Sequence, residues 1–331
     1  MKDKVKKEKS AKKPAAEPSC CSFSNTEDFL KRALGESGSE LPKQECSTST
    51  SEEIKDFVKN RYASLVSGPS SCGCGCGGHA EPNAFNLSTT DRQKWVEQLG
   101  YTEVELKDLP KDVTEISFGC GNPTAIAELK PGEQVLDLGS GGGIDVFLAA
   151  KKVGSRGKAI GLDMTPIMIE KANANAQKMG LPNVEFKLGE IEQIPLANNS
   201  IDVIISNCVI NLAPDKAKVF REVFRVLKPG GRIAVSDIVL NGELPTFIKN
   251  DFEAWAGCVA GALQEEDYLQ KIRDAGFTKV VVEAKRTAKE LSYAIKESPH
   301  VIQKLKEETG CTPEEVLNRI VSIKVKAYKP K

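Results

Sequence analysis

Histidine is almost absent from this chain: His79 and His300 are the only two in 331 residues. That scarcity argues against acid–base chemistry centred on imidazole. No apolar run is long enough to span a bilayer, and no apolar segment follows the lysine-rich start as a secretory signal would need. Neither sign of charge is in excess, with Lys+Arg and Asp+Glu at 46 each, so no global field attracts nucleic acid or an anionic membrane. The basic run MKDKVKKEKSAKK is local and reads as a solvated tail. The expectation is a cytoplasmic protein in a reducing compartment. Apolar residues at 40% supply a sizeable core.

Cysteine, by contrast, is plentiful, with ten residues. In a reducing compartment that number points to metal binding or catalysis before a disulfide scaffold. Residues 1–50 are rich in Lys, Ser, Glu and Pro and read as a mostly disordered tail, with a short helix possible at 27–34. Residues 51–114 hold a helix at 51–67, apolar at Ile54, Phe57, Val58, Tyr62 and Leu65, with a start signal at Ser51 and Glu53. The Gly/Cys loop GPSSCGCGCGGHA (68–80) follows. Residues 115–240 alternate strand and helix. Strands are predicted at 135–139, 158–164, 184–190, 201–207 and 231–239, with helices at 142–154, 165–180 and 215–231. Thr165, Pro166 and Gly180 punctuate the middle helix as N-cap, first-turn proline and C-cap. Such alternation implies a parallel sheet covered on both faces. In residues 241–331, helices are expected over 240–276, two closing strands at 279–286 and 322–329, and a polar helical insertion between them.

The turn LGSGGG (138–143) follows a strand and opens a helix, the context of a nucleotide-type site. A dinucleotide fingerprint would need glycine at 144, where Ile144 stands. The turn instead suits S-adenosylmethionine, lined by Asp137, Gly139, Ser140, Gly141 and Gly143. Asp163, followed by Met164, ends the second strand, where a carboxylate accepts hydrogen bonds from both ribose hydroxyls. Glu190 and Ile191 after the third strand suit the adenine, and Asn207 after the fourth suits the methionine portion. Cys208 follows Asn207, where a transferred methyl would point. Cys258 lies in the segment that commonly caps the substrate pocket, and Cys120 lies between Gly119 and Gly121 just before the first strand. Any one of these thiols reads as a small buried hydrophobe; three flanking one cofactor site suggest a soft ligand. Zinc asks for four ligands, often in C-x-x-C pairs, and none of the three lies in such a pair. Trivalent arsenic takes three thiolates and keeps a lone pair for the sulfonium methyl.

The segments IGLDMTPIMIEKA (160–172), LGEIEQIP (188–195), SNCVINLAPDK (206–216), RVLKPGGRIAVSDIV (225–239), AGCVAGAL (256–263) and GCGNPTAIAELKPGE (119–133) closely resemble the arsenite methyltransferase family. The resemblance implies a class I S-adenosylmethionine-dependent methyltransferase: a Rossmann-like, mostly parallel seven-stranded sheet with helices on both faces, plus a C-terminal arsenic-binding region. It implies Cys208 and Cys258 as As(III) ligands with Cys120 as the third thiol, arsenite or its small-thiol complexes as substrate, and no resident metal cofactor. It also implies an upstream cysteine that pairs with a core cysteine during turnover and is reset by an external dithiol such as a thioredoxin-like protein. Cys72, Cys74 and Cys76 are the candidates, Cys72 first; the loop also reads as a separate zinc site with His79. Two rivals stand beside this reading: a methyltransferase for a small organic acceptor such as a quinone, and a thiol-rich arsenic or zinc buffer.

Overall fold

The computed structural model describes residues 50–67, 96–115, 119–249, 257–288 and 310–331. The expected tail up to residue 49, the helix at 27–34, the loop at 68–80 with Cys72, and most of the insertion before residue 310 lie outside the described residues.

Helix α1 (Ser51–Ser67) follows the predicted apolar spacing. Its cap lies one residue earlier than the sequence suggests. Thr50, not Ser51, closes a capping box with Glu53: the Glu53 N–H donates to Thr50 Oγ1 at 3.3 Å and the Thr50 N–H to Glu53 Oε2 at 2.7 Å. Two short helices, α2 (Glu103–Leu106) and α3 (Lys111–Glu115), precede the sheet. Its strands are β1 (Gln134–Leu138), β2 (Lys158–Asp163), β3 (Val184–Leu188), β4 (Ile201–Asn207), β5 (Leu227–Leu240), β6 (Thr278–Thr287) and β7 (Ile320–Tyr328). The helices between them are α4 (Ile144–Val153), α5 (Pro166–Met179), α6 (Lys216–Val226), α7 (Thr246–Lys249), α8 (Glu265–Asp274) and α9 (Pro313–Arg319).

The strand order is β3-β2-β1-β4-β5-β7-β6. The first five pair in parallel; β7 runs antiparallel to both β5 and β6. Side-chain alternation sorts the core onto two faces. Leu136, Leu138, Ile160, Leu162 and Ile204 pack with Val219, Phe220 and Val223 of α6 and Tyr268 and Ile272 of α8. Val135, Ala159, Val203 and Ile205 pack with Val146, Ala149 and Val153 of α4. Burial on both faces explains the continuous apolar runs of β1 and β4, and each fully buried aliphatic side chain contributes about 1.5–3 kcal/mol of transfer free energy.

Two predicted elements differ. The helix expected over 215–231 stops at Val226, because Leu227 already pairs with Ile201 and Pro229 disfavours helical backbone before it. The segment expected to be helical around Cys258 is, over 257–263, a series of turns, with Cys258 itself at φ 63°. Between β1 and β4 the strand order reverses direction. In open α/β sheets ligands bind at the carboxyl ends of the strands flanking such a point.

Candidate active site

A cleft with about 980 Å³ of open space lies at that point. Asp137, Gly139, Ser140 and Gly141 from the turn after β1 line it, with Asp163 and Met164 after β2, Gly189, Ile191 and Glu192 after β3, and Asn207 and Cys208 after β4. Gly141 has φ 49°, and no atom stands within 4 Å of the place a Cβ would take, so its backbone is bare toward the cleft. Ser140 lines the cleft, and its buried hydroxyl has no hydrogen-bond partner among the described residues. Gly143 does not line the cleft. It caps α4 at φ 95°, and a Cβ there would stand 2.8 Å from Phe186 and 2.9 Å from Phe147, so its role is packing.

Three carboxylates give the cleft its electrostatic character. Burial pushes the Asp137 carboxyl well above the usual range, and the negative charges of Asp145 and Asp163 push it further. Burial also raises Asp163, although the Gly141 and Thr165 N–H groups donate to it at 2.9 and 2.8 Å. Burial lifts Asp145 to about 6, against the opposing hydrogen bonds from Tyr101 and Asn207. Crowded buried carboxylates are costly without a cation, so this cleft suits a ligand that brings positive charge. S-adenosylmethionine, with its ammonium and sulfonium, is such a ligand. The unpartnered Ser140 hydroxyl and the bare Gly141 also fit it.

Asn207 joins this acidic end to the thiols. Its Oδ1 accepts the backbone N–H groups of Cys120 and Gly121 at 3.0 and 3.2 Å. Its Nδ2 donates to Tyr101 Oη at 3.0 Å and to the Gly121 carbonyl at 2.6 Å. Ser322 of β7 donates to the Cys120 carbonyl at 3.1 Å. The 119–121 turn is thus pinned to the sheet from two strands, and its cysteine lies against Cys208.

Cys120 and Cys208 are joined as a disulfide, Cα to Cα 5.7 Å. This pairing differs from the expectation of metal binding or catalysis before disulfides; the pairing implied for an upstream cysteine falls on Cys72, Cys74 and Cys76, outside the described residues. The physical cause is the anchoring of the 119–121 turn over the end of β4. Cys258 is a free thiol, 4% exposed, and donates to the Cys208 carbonyl at 2.8 Å. Cys120 and Cys208, 88 residues apart, are thus bonded, and Cys258, 50 residues beyond Cys208, packs against the same backbone; of the three, Cys208 is the one that lines the cleft. Ile54, Val58, Leu212 and Ile238 surround them in an apolar cluster. Burial, with the negative Asp237 nearby, holds the Cys258 thiol well above its usual range. Asn211 seats this turn by donating to the Ile238 carbonyl and, at 3.5 Å, to the Cys258 carbonyl.

Several residues of the site have no signal in the sequence. Lys55 of α1 lines the cleft and binds Glu190 at 2.7 Å and Glu192 at 3.5 Å. Burial lowers the Lys55 ammonium, but these partners outweigh it and raise it. Glu190, expected at the adenine, is therefore engaged by Lys55, and Ile191 and Glu192 face the cleft in its place. Behind Cys258, Asp237 accepts from the Tyr268 hydroxyl at 3.0 Å and the Ile238 N–H at 2.9 Å. Burial lifts Asp237 to about 7 and depresses the neighbouring Lys216 to about 8. Apolar runs and Gly-rich turns mark strand ends; ion pairs such as Lys55–Glu190, 135 residues apart, leave no such local mark.

The sheet order, the cleft at its switch point and the acids at the strand ends define the fold of the class I S-adenosylmethionine-dependent methyltransferases. A methyltransferase-domain family matches residues 129–276. The chain is 43% identical to the arsenite methyltransferase of Halobacterium salinarum over 71% of its own length and 60% of that protein. It is 38% identical to the arsenite methyltransferase of Mus musculus over 54% of its length and 49% of the relative. It is also similar to the crystal structure of an arsenic(III) S-adenosylmethionine methyltransferase from Chlamydomonas reinhardtii, at 36% identity and a TM-score of 0.58, covering 69% of this chain and 73% of that one. The chain belongs to the arsenite methyltransferase family. It spans about half to three-fifths of the length of these curated relatives.

Proposed function

We propose that this protein transfers a methyl group from S-adenosylmethionine to trivalent arsenic held by Cys120, Cys208 and Cys258, in arsenic detoxification. The observation that supports the reading is Cys208 at the wall of a cleft that fits the cofactor, with Cys120 bonded to its sulfur and the Cys258 thiol on its carbonyl. The substrate is arsenite or its complex with a small thiol, whose oxygen or sulfur ligands the protein thiols displace as water or free thiol.

The cofactor supplies a methyl group on a positively charged sulfur; the arsenic lone pair forms the As–C bond, and the C–S electron pair stays on sulfur. Asp163 holds the ribose hydroxyls, and Asp137 and Asp145 face the cationic end. Ile191 covers the adenine. Cys208 follows Asn207 directly, so arsenic on its sulfur lies on the methyl side. Tyr62 and Leu212 wall the cleft at the apolar thiol cluster and exclude water. Positioning is the main source of rate, and the transfer itself needs no general base.

Transfer raises arsenic formally from III to V. Two cysteine thiols return two electrons and become a disulfide, and an external thioredoxin-like dithiol reopens it by exchange. The Cys120–Cys208 bond corresponds to such an oxidised state. Cys72, with Cys74 and Cys76, is the upstream candidate for delivery or reduction. In this reading residues 115–240 bind the cofactor, 241–331 cap the substrate, and the enzyme works in the reducing cytoplasm. Arsenite, cofactor and a dithiol incubated with the protein should yield methylated arsenicals by mass spectrometry. Cys208→Ser should abolish them and leave cofactor binding intact. Full activity in that variant, or methylation of a quinone instead of arsenite, sinks the proposal.

A further inference from the structure

We propose that Tyr101 is a positioning residue that couples occupancy of the cofactor cleft to the seating of Cys120, making the two substrates bind cooperatively. The inference rests on the proposed function for the identity of those substrates.

Tyr101 is buried against Phe147 and Leu148 of α4 and does not line the cleft. Its hydroxyl, 2.9 Å from both oxygens of Asp145, donates its one proton to that carboxyl group and accepts from Asn207 Nδ2 at 3.0 Å. On the far side of the same amide, Oδ1 accepts from the Cys120 and Gly121 N–H groups. Backbone N–H groups can only donate, so the Asn207 amide can lie only one way round. The result is a directional chain. Cys120 N–H donates to Asn207, Asn207 donates to Tyr101 at 3.0 Å and directly to Asp145 at the longer distance of 3.3 Å, and Tyr101 donates to Asp145. Every donor points toward one buried carboxylate that lines the cleft. A second tie runs in parallel, because Asn122 Nδ2 donates to the Gly100 carbonyl at 3.1 Å, fixing the residue before Tyr101 to the residue after Gly121.

A charge at the end of such a chain is felt along it, since hydrogen bonds in series polarise one another in the same sense. A cationic ligand group beside Asp145 favours the carboxylate. The bond from Tyr101 then becomes charge-assisted, its oxygen becomes a better acceptor for Asn207, and Asn207 becomes a better acceptor for the Cys120 turn. Cofactor binding thereby holds Cys120 where arsenic needs it. By linkage, arsenic on Cys120 must favour cofactor binding by the same factor.

The test uses the full-length reduced protein with S-adenosylhomocysteine, whose amino-acid end matches that of the cofactor. Arsenite affinity is measured by anaerobic titration with and without this probe. In a parallel arm without arsenic, the alkylation rate of Cys120 by iodoacetamide is followed by peptide mass spectrometry. The wild type should bind arsenite about tenfold more tightly with the probe, within the usual range of coupling, and Cys120 should alkylate more slowly. Tyr101→Phe, which removes the shorter route to Asp145 and leaves only the 3.3 Å bond from Asn207, should lower both ratios well below the wild-type values while arsenite and probe still bind. Asp145→Asn, which keeps the shape and removes the charge facing the ligand's ammonium, should weaken probe binding itself and bring both ratios close to one at saturating probe. A loss of general stability would weaken arsenite binding equally with and without the probe and leave the ratio unchanged, so ratios in Tyr101→Phe equal to those of the wild type overturn the proposal. Ratios of one in the wild type also overturn it. If arsenite is not methylated, the functional reading fails, and the alkylation arm alone decides the coupling.

Discussion

Lys55→Met removes the one described link between α1 and the acids after β3 that is charged on both sides. The Lys55 side chain is 15% exposed, Glu192 7% and Glu190 45%. The Glu190 contact is half in water and is worth at most about 1 kcal/mol. The Glu192 contact is different. Taking away the cation leaves a buried carboxylate with only the more distant Lys216 as counter-charge, and breaking fully buried pairs costs about 3–5 kcal/mol. At 3.5 Å the Lys55–Glu192 pair lacks ideal geometry, so the two contacts together should cost about 2–3 kcal/mol of α1 docking. Burial already raises the Glu192 carboxyl against the pull of Lys55. Its contribution is therefore complete at acid pH and is lost as pH rises, so the cost of the substitution should grow from pH 5.5 to pH 8. Hydrogen exchange of the amides in 51–67 reads this directly. At pH 8 protection should fall about 30–100-fold, following about 1.4 kcal/mol per tenfold. Adding Glu192→Gln should restore part of it. Equal protection in wild type and variant at pH 8, or the same loss at both pH values, would refute the reasoning.

Asp163→Ala should weaken cofactor binding at least about 100-fold by calorimetry, the lower end of the worth of two hydrogen bonds to a charged acceptor, and leave arsenite binding nearly unchanged. Asp237→Asn should alter the pH dependence of stability. With its carboxyl at about 7 when folded against 3.8, wild-type stabilisation is complete below the lower value and disappears as pH rises through the upper one. From pH 5 to pH 8 the wild type should lose about 2–3 kcal/mol that the variant keeps, measured by urea unfolding at the two pH values.

Where the chain speaks locally, its structure is legible in the sequence. β4 spans the seven residues its apolar run marks, and α5 starts after Thr165 and stops at Gly180, where φ is 61°. The strand ends with Asp163, Ile191 and Asn207 line one cleft because a parallel sheet brings its carboxyl ends together. Local patterns also misled. FEAWAGCVAGAL has helical spacing, yet Cys258 takes the left-handed conformation because the Asn211 amide and the Cys208 carbonyl draw its turn onto the sheet. Glu190 occupies the expected position, but no local pattern says that Lys55 would reach it. The Tyr101–Asp145–Asn207 network joins three segments that no spacing rule relates.

Arsenic X-ray absorption on the fully reduced, full-length protein loaded with arsenite counts sulfur neighbours at the metalloid. Three are expected in the wild type and two in each of Cys120→Ser, Cys208→Ser and Cys258→Ser. An arsenic centre bound only by oxygen, or a sulfur count that none of these substitutions changes, would contradict the account.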